Sequence, residues 1–330
     1  MFFLCVDKPA GYTSHDIVSL FRVLTGIKRI GHTGTLDPFA TGVLLLAFQD
    51  ATKLIGHIPH VPKRYQCMLD LGVQTETADC TGDVVRQVSV SDTVRDTLET
   101  VLAQFQGDIV QKPPIYSAIK VNGKRLYEYA RKGESVDIPE RTVSIYDIQT
   151  ISEVDGHQPS AQQVALDVRC SKGTYIRSLG CDIAQTLGTV GHLSVLRRLS
   201  SDGVDIAKAI TLPQLATLVT IEEFTDWRIA LSKEGRSVYT RRSREAVLKQ
   251  LSLFAISPTE VFASVPTVHP TDFESLRLAQ GACLNSLKQR LSAPLNKVLW
   301  NEQILALLRK DGSILRVNPS IADKRIAAQS

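Results

Sequence analysis

The chain is organised around one stretch, Ile30-Gly-His-Thr-Gly-Thr-Leu-Asp-Pro-Phe-Ala-Thr-Gly42. Its three glycines, three threonines and one proline predict an irregular loop, not a helix or a strand. Asp37 is its one carboxylate, and Pro38 restricts the orientations in which that side chain is presented. The apolar run 43–48 predicts a buried strand directly after the loop. From these residues alone, a catalytic carboxylate and an ordinary turn aspartate are equally good interpretations.

Length and composition indicate a globular protein of two domains. The chain has 330 residues, of which 43% are hydrophobic and 22% are charged. A net charge of +4 permits a nucleic-acid partner without requiring one. No apolar run approaches the roughly 20 residues of a membrane span, and the N-terminal residues predict a strand and not a signal peptide. We therefore expect a cytoplasmic protein without a membrane partner.

The cysteines and histidines do not form metal-binding patterns. None of the six cysteines belongs to a C-x-x-C pair, so we expect reduced thiols. Of the seven histidines, only His57 and His60 lie close together, and no cysteine or carboxylate cluster accompanies them. We expect neither a metal nor another cofactor.

Helical and strand patterns follow one another along the chain. Thr13 and Asp16 form a capping-box pattern before a helix that ends near Gly26, and a second helical pattern covers 91–105. Further strand patterns cover 65–72, 141–154, 163–170 and 191–199. Towards the C-terminus, a helix near 271–280 and several short strands predict a small separate unit.

Basic residues are concentrated in two segments that suit a phosphate-bearing partner. In 112–131, lysines and arginines alternate with Tyr116, Tyr127 and Tyr129, a mixture suited to RNA phosphates and to base stacking. The segment 228–249 is the most basic in the chain. A solvated surface explains the first segment equally well, and a solvated connector is the more common meaning of the second.

Arg177 and Tyr65 are further candidate functional residues. Arg177 follows a predicted helix start, and its guanidinium matches a carboxylate through two parallel hydrogen bonds. Tyr65 follows two cations at a strand start, where its ring can face a cleft. An exposed helix arginine and a half-buried strand tyrosine are the structural alternatives. Nucleotide hydrolysis is excluded, because the loop is accompanied by neither Gly-Lys-Ser/Thr nor G-x-G-x-x-G.

Several motifs lie in order along roughly residues 4–215 and together resemble one family. Besides the opening loop, they are Asp7-Lys-Pro-Ala-Gly11, Lys63-Arg-Tyr65, Gly72-Val-Gln-Thr-Glu-Thr-Ala-Asp79, Pro113-Pro-Ile-Tyr-Ser-Ala-Ile-Lys120, Leu126-Tyr-Glu-Tyr-Ala-Arg131, Cys170-Ser-Lys-Gly-Thr-Tyr-Ile-Arg177 and Leu196-Arg-Arg-Leu199. In this number and order they resemble the bacterial tRNA pseudouridine synthases that modify the T-arm uridine at position 55.

The resemblance implies an α+β fold with an extended mixed or antiparallel sheet flanked by helices. It implies a catalytic domain over 1–262, in which the basic segment 228–249 looks like an insertion. It also implies a small β-rich C-terminal domain over 263–330, whose similarity to the family's RNA-contacting domain is loose.

The resemblance further implies a cofactor-independent isomerase that acts as a monomer on the T-arm stem-loop of tRNA. Asp37 would be the catalytic aspartate, kept ionised by Arg177 although a dry pocket favours the protonated form. Tyr65 would stack on the flipped base, and His32 would enter the gap left in the RNA. The implied substrate-binding residues are Tyr65, Tyr175, Arg177, Leu196, His32 and Lys8.

Two other functions stay open at this stage. One is an RNA-binding or tRNA-folding module in which catalysis is secondary. The other is a related synthase that acts on uridines of another RNA. The intact set of Asp37, Tyr65 and Arg177 argues against the first, and the whole set of motifs argues against the second.

Overall fold

Apolar strands place a large sheet at the centre of the molecule, and amphipathic helices cover it. The structure is a computed structural model that describes residues 1–91, 93–218 and 241–318. The first strands are β1 (Phe2–Lys8), β2 (Ile30–His32), β3 (Thr41–Phe48), β4 (Lys63–Leu71), β5 (Val73–Thr75), β6 (Val84–Gln87), β7 (Gly107–Gln111), β8 (Lys120–Val121), β9 (Lys124–Arg125) and β10 (Arg141–Thr150). The others are β11 (Gln163–Cys170), β12 (Gly191–Ser201), β13 (Val204–Asp205), β14 (Ile210–Thr211), β15 (Ala255–Ile256), β16 (Thr267–Val268), β17 (Leu295–Trp300), β18 (Gln303–Arg309) and β19 (Ile314–Val317).

The α-helices lie between these strands and before the last three. They are α1 (Ser14–Thr25), α2 (Val94–Gln104), α3 (Leu126–Ala130), α4 (Ile176–Thr186), α5 (Leu212–Leu218), α6 (Arg241–Leu251), α7 (Pro258–Val261), α8 (Asp272–Ala279) and α9 (Asn285–Lys288). Short 3-10 turns cover Gln49–His57, Ile206–Lys208 and Ser252–Phe254.

The central sheet is mixed but mainly antiparallel. Among the described residues it has eleven strands, with the order β14-β1-β3-β12-β4-β11-β10-β7 and with β2, β13 and β15 paired at its sides. Within the described part of this sheet, only the β1–β14 and β3–β12 pairs are parallel. A separate four-stranded sheet, β16-β17-β18-β19, forms the C-terminal unit. The predicted α+β fold is therefore confirmed.

Helix α1 shows how local sequence signals set this architecture. The Thr13 hydroxyl accepts the Asp16 N–H, and the Asp16 carboxylate accepts the Thr13 N–H, which completes the predicted capping box. The helix ends at Gly26, whose φ of 71° is in the left-handed region. Its apolar face packs into the main core of the sheet.

Both faces of the central strands are buried. Along β1, Leu4 and Val6 point into the core shared with α1, whereas Phe3 and Cys5 point into a second core. Phe262 and Leu307 belong to this second core. Residues near and within the C-terminal unit thus cover the face of the sheet that α1 leaves free.

Two sequence expectations need correction. The loop covers only 33–40, because Ile30–His32 pairs with β3 as a strand and β3 itself begins at Thr41. Backbone pairing with a long buried strand outweighs the glycine content there. Towards the end of the basic segment 228–249, α6 buries Val247 and Leu251 in the core that includes α1, so this part is not a solvated connector. Residues 228–240 of the basic segment lie outside the described residues.

Gly42 permits the close approach of β3 and β12 and provides a test of this arrangement. Its φ is +102°, and a Cβ atom there would lie 2.2 Å from the carbonyl oxygen of Arg198. We expect Gly42→Ala to lower the free energy of unfolding by at least about 2 kcal/mol in a denaturant titration. Gly56→Ala is the matched control, because a Cβ at Gly56 meets nothing within 4 Å. Equal stability of the two variants would contradict the packing described.

Candidate active site

Arg177 and Asp37 form a bidentate ion pair. Nε of Arg177 donates to Oδ2 of Asp37 at 2.9 Å, and Nη2 donates to Oδ1 at 3.1 Å. The Arg177 side chain is 3% exposed, whereas that of Asp37 is 30% exposed. The arginine is therefore enclosed, while its carboxylate partner remains accessible to a ligand.

Arg177 also connects the loop to two other segments. Nη1 donates to the carbonyl oxygen of Thr77 at 2.7 Å and lies 3.5 Å from Oδ2 of Asp79, while Nη2 donates to the carbonyl oxygen of Tyr116 at 2.9 Å. Asp79 is buried, and its Oδ1 accepts hydrogen bonds from the hydroxyls of Thr77 and Thr81. The sequence analysis assigned no role to this second carboxylate. Its presence in the Gly72–Asp79 motif was the available signal.

Two buried cations hold the backbone of the loop. Lys8 Nζ donates to the carbonyl oxygens of Pro9, Tyr12 and Pro38. Arg198 donates from Nε to the carbonyl oxygen of Val43, and from Nη2 and Nη1 to those of Gly34 and Thr35. Backbone carbonyls that would otherwise be unsatisfied are thereby paired on both sides of Asp37. Lys8 and Arg198 thus fix the loop backbone that carries Asp37, and Arg177 fixes the carboxylate itself.

A cavity of about 280 Å³ opens above Asp37. Four of the other predicted site residues line it with Asp37: Tyr65, Tyr175, Arg177 and Leu196. Tyr65 comes from β4 and Leu196 from the adjacent β12, where Leu196 pairs with Cys67. Tyr175 precedes α4, and Gln111 fixes its backbone by accepting its N–H and donating to its carbonyl oxygen.

The other two predicted site residues lie outside this cavity wall. Lys8 is completely buried beneath the loop, where its three acceptors are backbone carbonyls. His32 is half-buried at the end of β2, and its Nδ1 has no hydrogen-bond partner among the described residues. The structure thus brings five predicted residues together around the cavity. Lys8 is buried beneath the loop, and His32 lies outside the cavity wall.

Burial and charge act in opposite directions on the ionisable groups of the site. Burial raises the pKa of Asp37 above its ordinary value of 3.8, the Arg177 guanidinium opposes this rise, and the Asp79 carboxylate adds to it. Burial lowers the pKa of Lys8 to about 8, and the Asp37 carboxylate opposes that shift. Burial raises the pKa of Tyr65. The acidity of Asp37 therefore depends on how well Arg177 compensates for burial.

Residues 1–91, 93–218 and 241–318 contain no candidate metal cluster and no candidate membrane-spanning helix. In these ranges, His, Cys, Asp and Glu side chains form no group of three or more that could hold a metal ion. None of the helices in these ranges is long and apolar enough to span a bilayer.

Comparison with known proteins gives consistent matches. Residues 22–176 match the model of the TruB family pseudouridylate synthase (N terminal domain). A tRNA pseudouridine synthase B of Staphylococcus epidermidis is 46% identical over 217 residues, which cover 65% of this chain and 71% of that protein. The protein of the same name from Prochlorococcus marinus is 39% identical over 267 residues, covering 73% and 82%.

Solved structures show the same fold. A Cbf5-Nop10-Gar1 complex contains a chain with a TM-score of 0.62 and 25% identity, and the match covers 93% of this chain and 78% of that chain. A chain of an archaeal box H/ACA sRNP Nop10-Cbf5 complex has a TM-score of 0.59 and 21% identity, covering 98% and 81%. The sequence identity to the bacterial relatives extends this likeness beyond the fold, and the chain belongs to the TruB family of pseudouridylate synthases.

Proposed function

We propose that this protein converts uridine 55 in the T arm of tRNA to pseudouridine, with Asp37 as the catalytic carboxylate. Membership of the family makes it an isomerase that acts on uridine in tRNA. The observation that carries the assignment of Asp37 is its ion pair with Arg177 at the base of a cavity that Tyr65 also lines.

The reaction suits a site with one ionised carboxylate. Isomerisation breaks the bond between ribose C1′ and N1, turns the base and forms a new bond from C1′ to C5. The C5 proton is lost and N1 gains a proton, so atoms and electrons balance without an oxidant or a reductant. A carboxylate contributes as a nucleophile or by stabilising an oxocarbenium-like centre. Both roles require Asp37 in its ionised form.

The cavity supports recognition of a flipped base. Extruding a stacked base costs a few kcal/mol, which contacts in the pocket must offset. In our proposal, the Tyr65 ring stacks on the base while Tyr175 and Leu196 flank it. His32, at the end of β2, would occupy the gap left in the RNA. Lys8 would act through the Pro38 carbonyl that it holds, and not by touching the substrate.

The partner would be the T-arm stem-loop, bound by a monomer in the cytoplasm without a cofactor. Support comes from 112–131, where guanidinium groups of Arg125 and Arg131 lie 5.9 and 5.4 Å from the Tyr127 ring centroid. Such cation and ring pairs suit RNA phosphates and bases. We also propose 1–262 as the catalytic domain and 263–330 as the small C-terminal domain.

Asp37→Asn tests the catalytic role. We expect pseudouridine formation on unmodified tRNA to fall by at least roughly a thousandfold, because the amide can neither attack nor carry the negative charge. Thermal unfolding and tRNA affinity should stay close to those of the unsubstituted protein. Asp147→Asn, at an exposed strand position, is the control and should retain full activity. Near-normal turnover by Asp37→Asn would refute the assignment.

Asp79→Asn tests the charge balance through the pH profile of kcat/KM. Activity needs ionised Asp37, so it should fall as pH drops through the raised pKa of this group. The Asp79 carboxylate raises the pKa of Asp37, so removing its charge should lower that pKa. The acidic side of the kcat/KM profile should therefore shift to lower pH, and this shift is independent of any change in the maximal rate. Asp167→Asn removes a buried aspartate paired with Arg64 and should leave the limb in place. An upward shift or no shift in Asp79→Asn would contradict the account.

A further inference from the structure

The cavity above Asp37 has an excess of positive charge. Asp37 is the one carboxylate among the residues of its described wall, and it already has a partner. The cationic residues of that wall are Lys63, Arg141, Lys172, Arg177 and Arg198. A ligand with at least one negative charge would restore the balance.

Three of these cations already have acceptors. Arg177 holds Asp37, Arg198 holds backbone carbonyls of the loop, and Lys63 donates to the Ser201 hydroxyl at 2.7 Å while facing Asp202 at 3.8 Å. Arg141 and Lys172 differ, because neither has an ion pair within the described ranges. The available charge is therefore carried by Arg141 and Lys172, and Nη1 of Arg141 lies 3.8 Å from the position that a Cβ would take at Gly173, the residue after Lys172.

Arg141 presents the more specific feature. Its guanidinium lies 4.7 Å from the centroid of the Tyr175 ring, which fixes its plane. Its Nε and Nη2 atoms are buried and have no hydrogen-bond partner among the described residues. These two atoms form the same edge with which Arg177 binds Asp37. Nε and Nη2 of Arg141 can thus donate two parallel hydrogen bonds to two oxygens of one anion.

Ser117 adds a second unsatisfied group to the same wall. Its Oγ is buried without a partner among the described residues, and Ser117 lines the cavity together with Arg141. Buried donors that lack acceptors are unfavourable in a folded protein and are commonly satisfied by a ligand. Both groups are shielded from solvent here, so a ligand in the cavity reaches them through a local shift of the cavity wall.

We propose that Arg141, with Lys172 and Ser117, binds a backbone phosphate of the RNA next to the flipped nucleotide. This inference rests on the proposed function, which places RNA in the cavity. A phosphate offers two oxygens and a full negative charge to the Arg141 edge, whereas the uracil carbonyls are neutral. The contact would anchor the sugar-phosphate backbone while Tyr65 and Leu196 hold the base.

Single methylphosphonate linkages test this site by removing the charge of one phosphate at a time. The probe is a T-arm stem-loop RNA with the neutral linkage on the 5′ or the 3′ side of the target uridine. We expect one of these positions to weaken binding to the unsubstituted protein by about 10- to 100-fold. In Arg141→Gln, the same linkage should change the dissociation constant by less than about twofold, since the charged contact is already lost.

The control is Arg169→Gln, an exposed cation on the sheet face opposite to Tyr65, which should show the full penalty of the unsubstituted protein. Lys172→Gln should reduce the loss of binding that the neutral linkage causes. Because Lys172 is exposed, this variant tests the site even if Arg141→Gln does not fold. Equal penalties in the unsubstituted protein and in these cavity variants would overturn the proposal, as would the absence of a penalty at both linkages. Because binding is measured separately from turnover, RNA that binds but is not isomerised would refute the proposed function and not the phosphate site.

Discussion

The buried guanidinium of Arg177 is the constraint on which the site depends. It pairs with two carboxylates and two backbone carbonyls that come from three separate segments of the chain. Loss of one partner of such a buried pair is strongly destabilising, because the remaining charge is left in a medium of low dielectric constant. The catalytic loop, the turn around Asp79 and the segment at Tyr116 are thus held by one side chain that also sets the charge of Asp37.

The sheet places these groups within reach of one another. β3 follows the loop, β12 lies beside β3, and β4 lies beside β12. Asp37 of the loop therefore converges with Leu196 of β12 and Tyr65 of β4. The parallel pairing of Arg198 with Gly42 lets the arginine reach back under the loop. The close packing of β3 and β12 at Gly42 therefore helps to set the position of Asp37 through the bonds of Arg198 to the loop.

Local signals made part of this structure predictable. The capping box of α1 and the apolar period of the central strands are short-range patterns, and they indicated the elements to within a few residues. The proximity of Arg177 and Asp37, 140 positions apart, followed from the family resemblance and not from spacing. The burial of Asp79 and the bonding of Lys8 to the Pro38 carbonyl depend on long-range packing, which no local pattern reveals. The pairing of Ile30–His32 with β3 was missed for the same reason.

The central claim is that the Asp37 cavity receives a flipped uridine from the T arm and isomerises it. Mapping of pseudouridine at single-nucleotide resolution, in an unmodified tRNA transcript incubated with the purified protein, tests it most directly. The account predicts one new pseudouridine, at position 55, and none when the transcript is incubated without the protein. Pseudouridine at other positions alone, or none at any position in a tRNA that the protein binds, would contradict it.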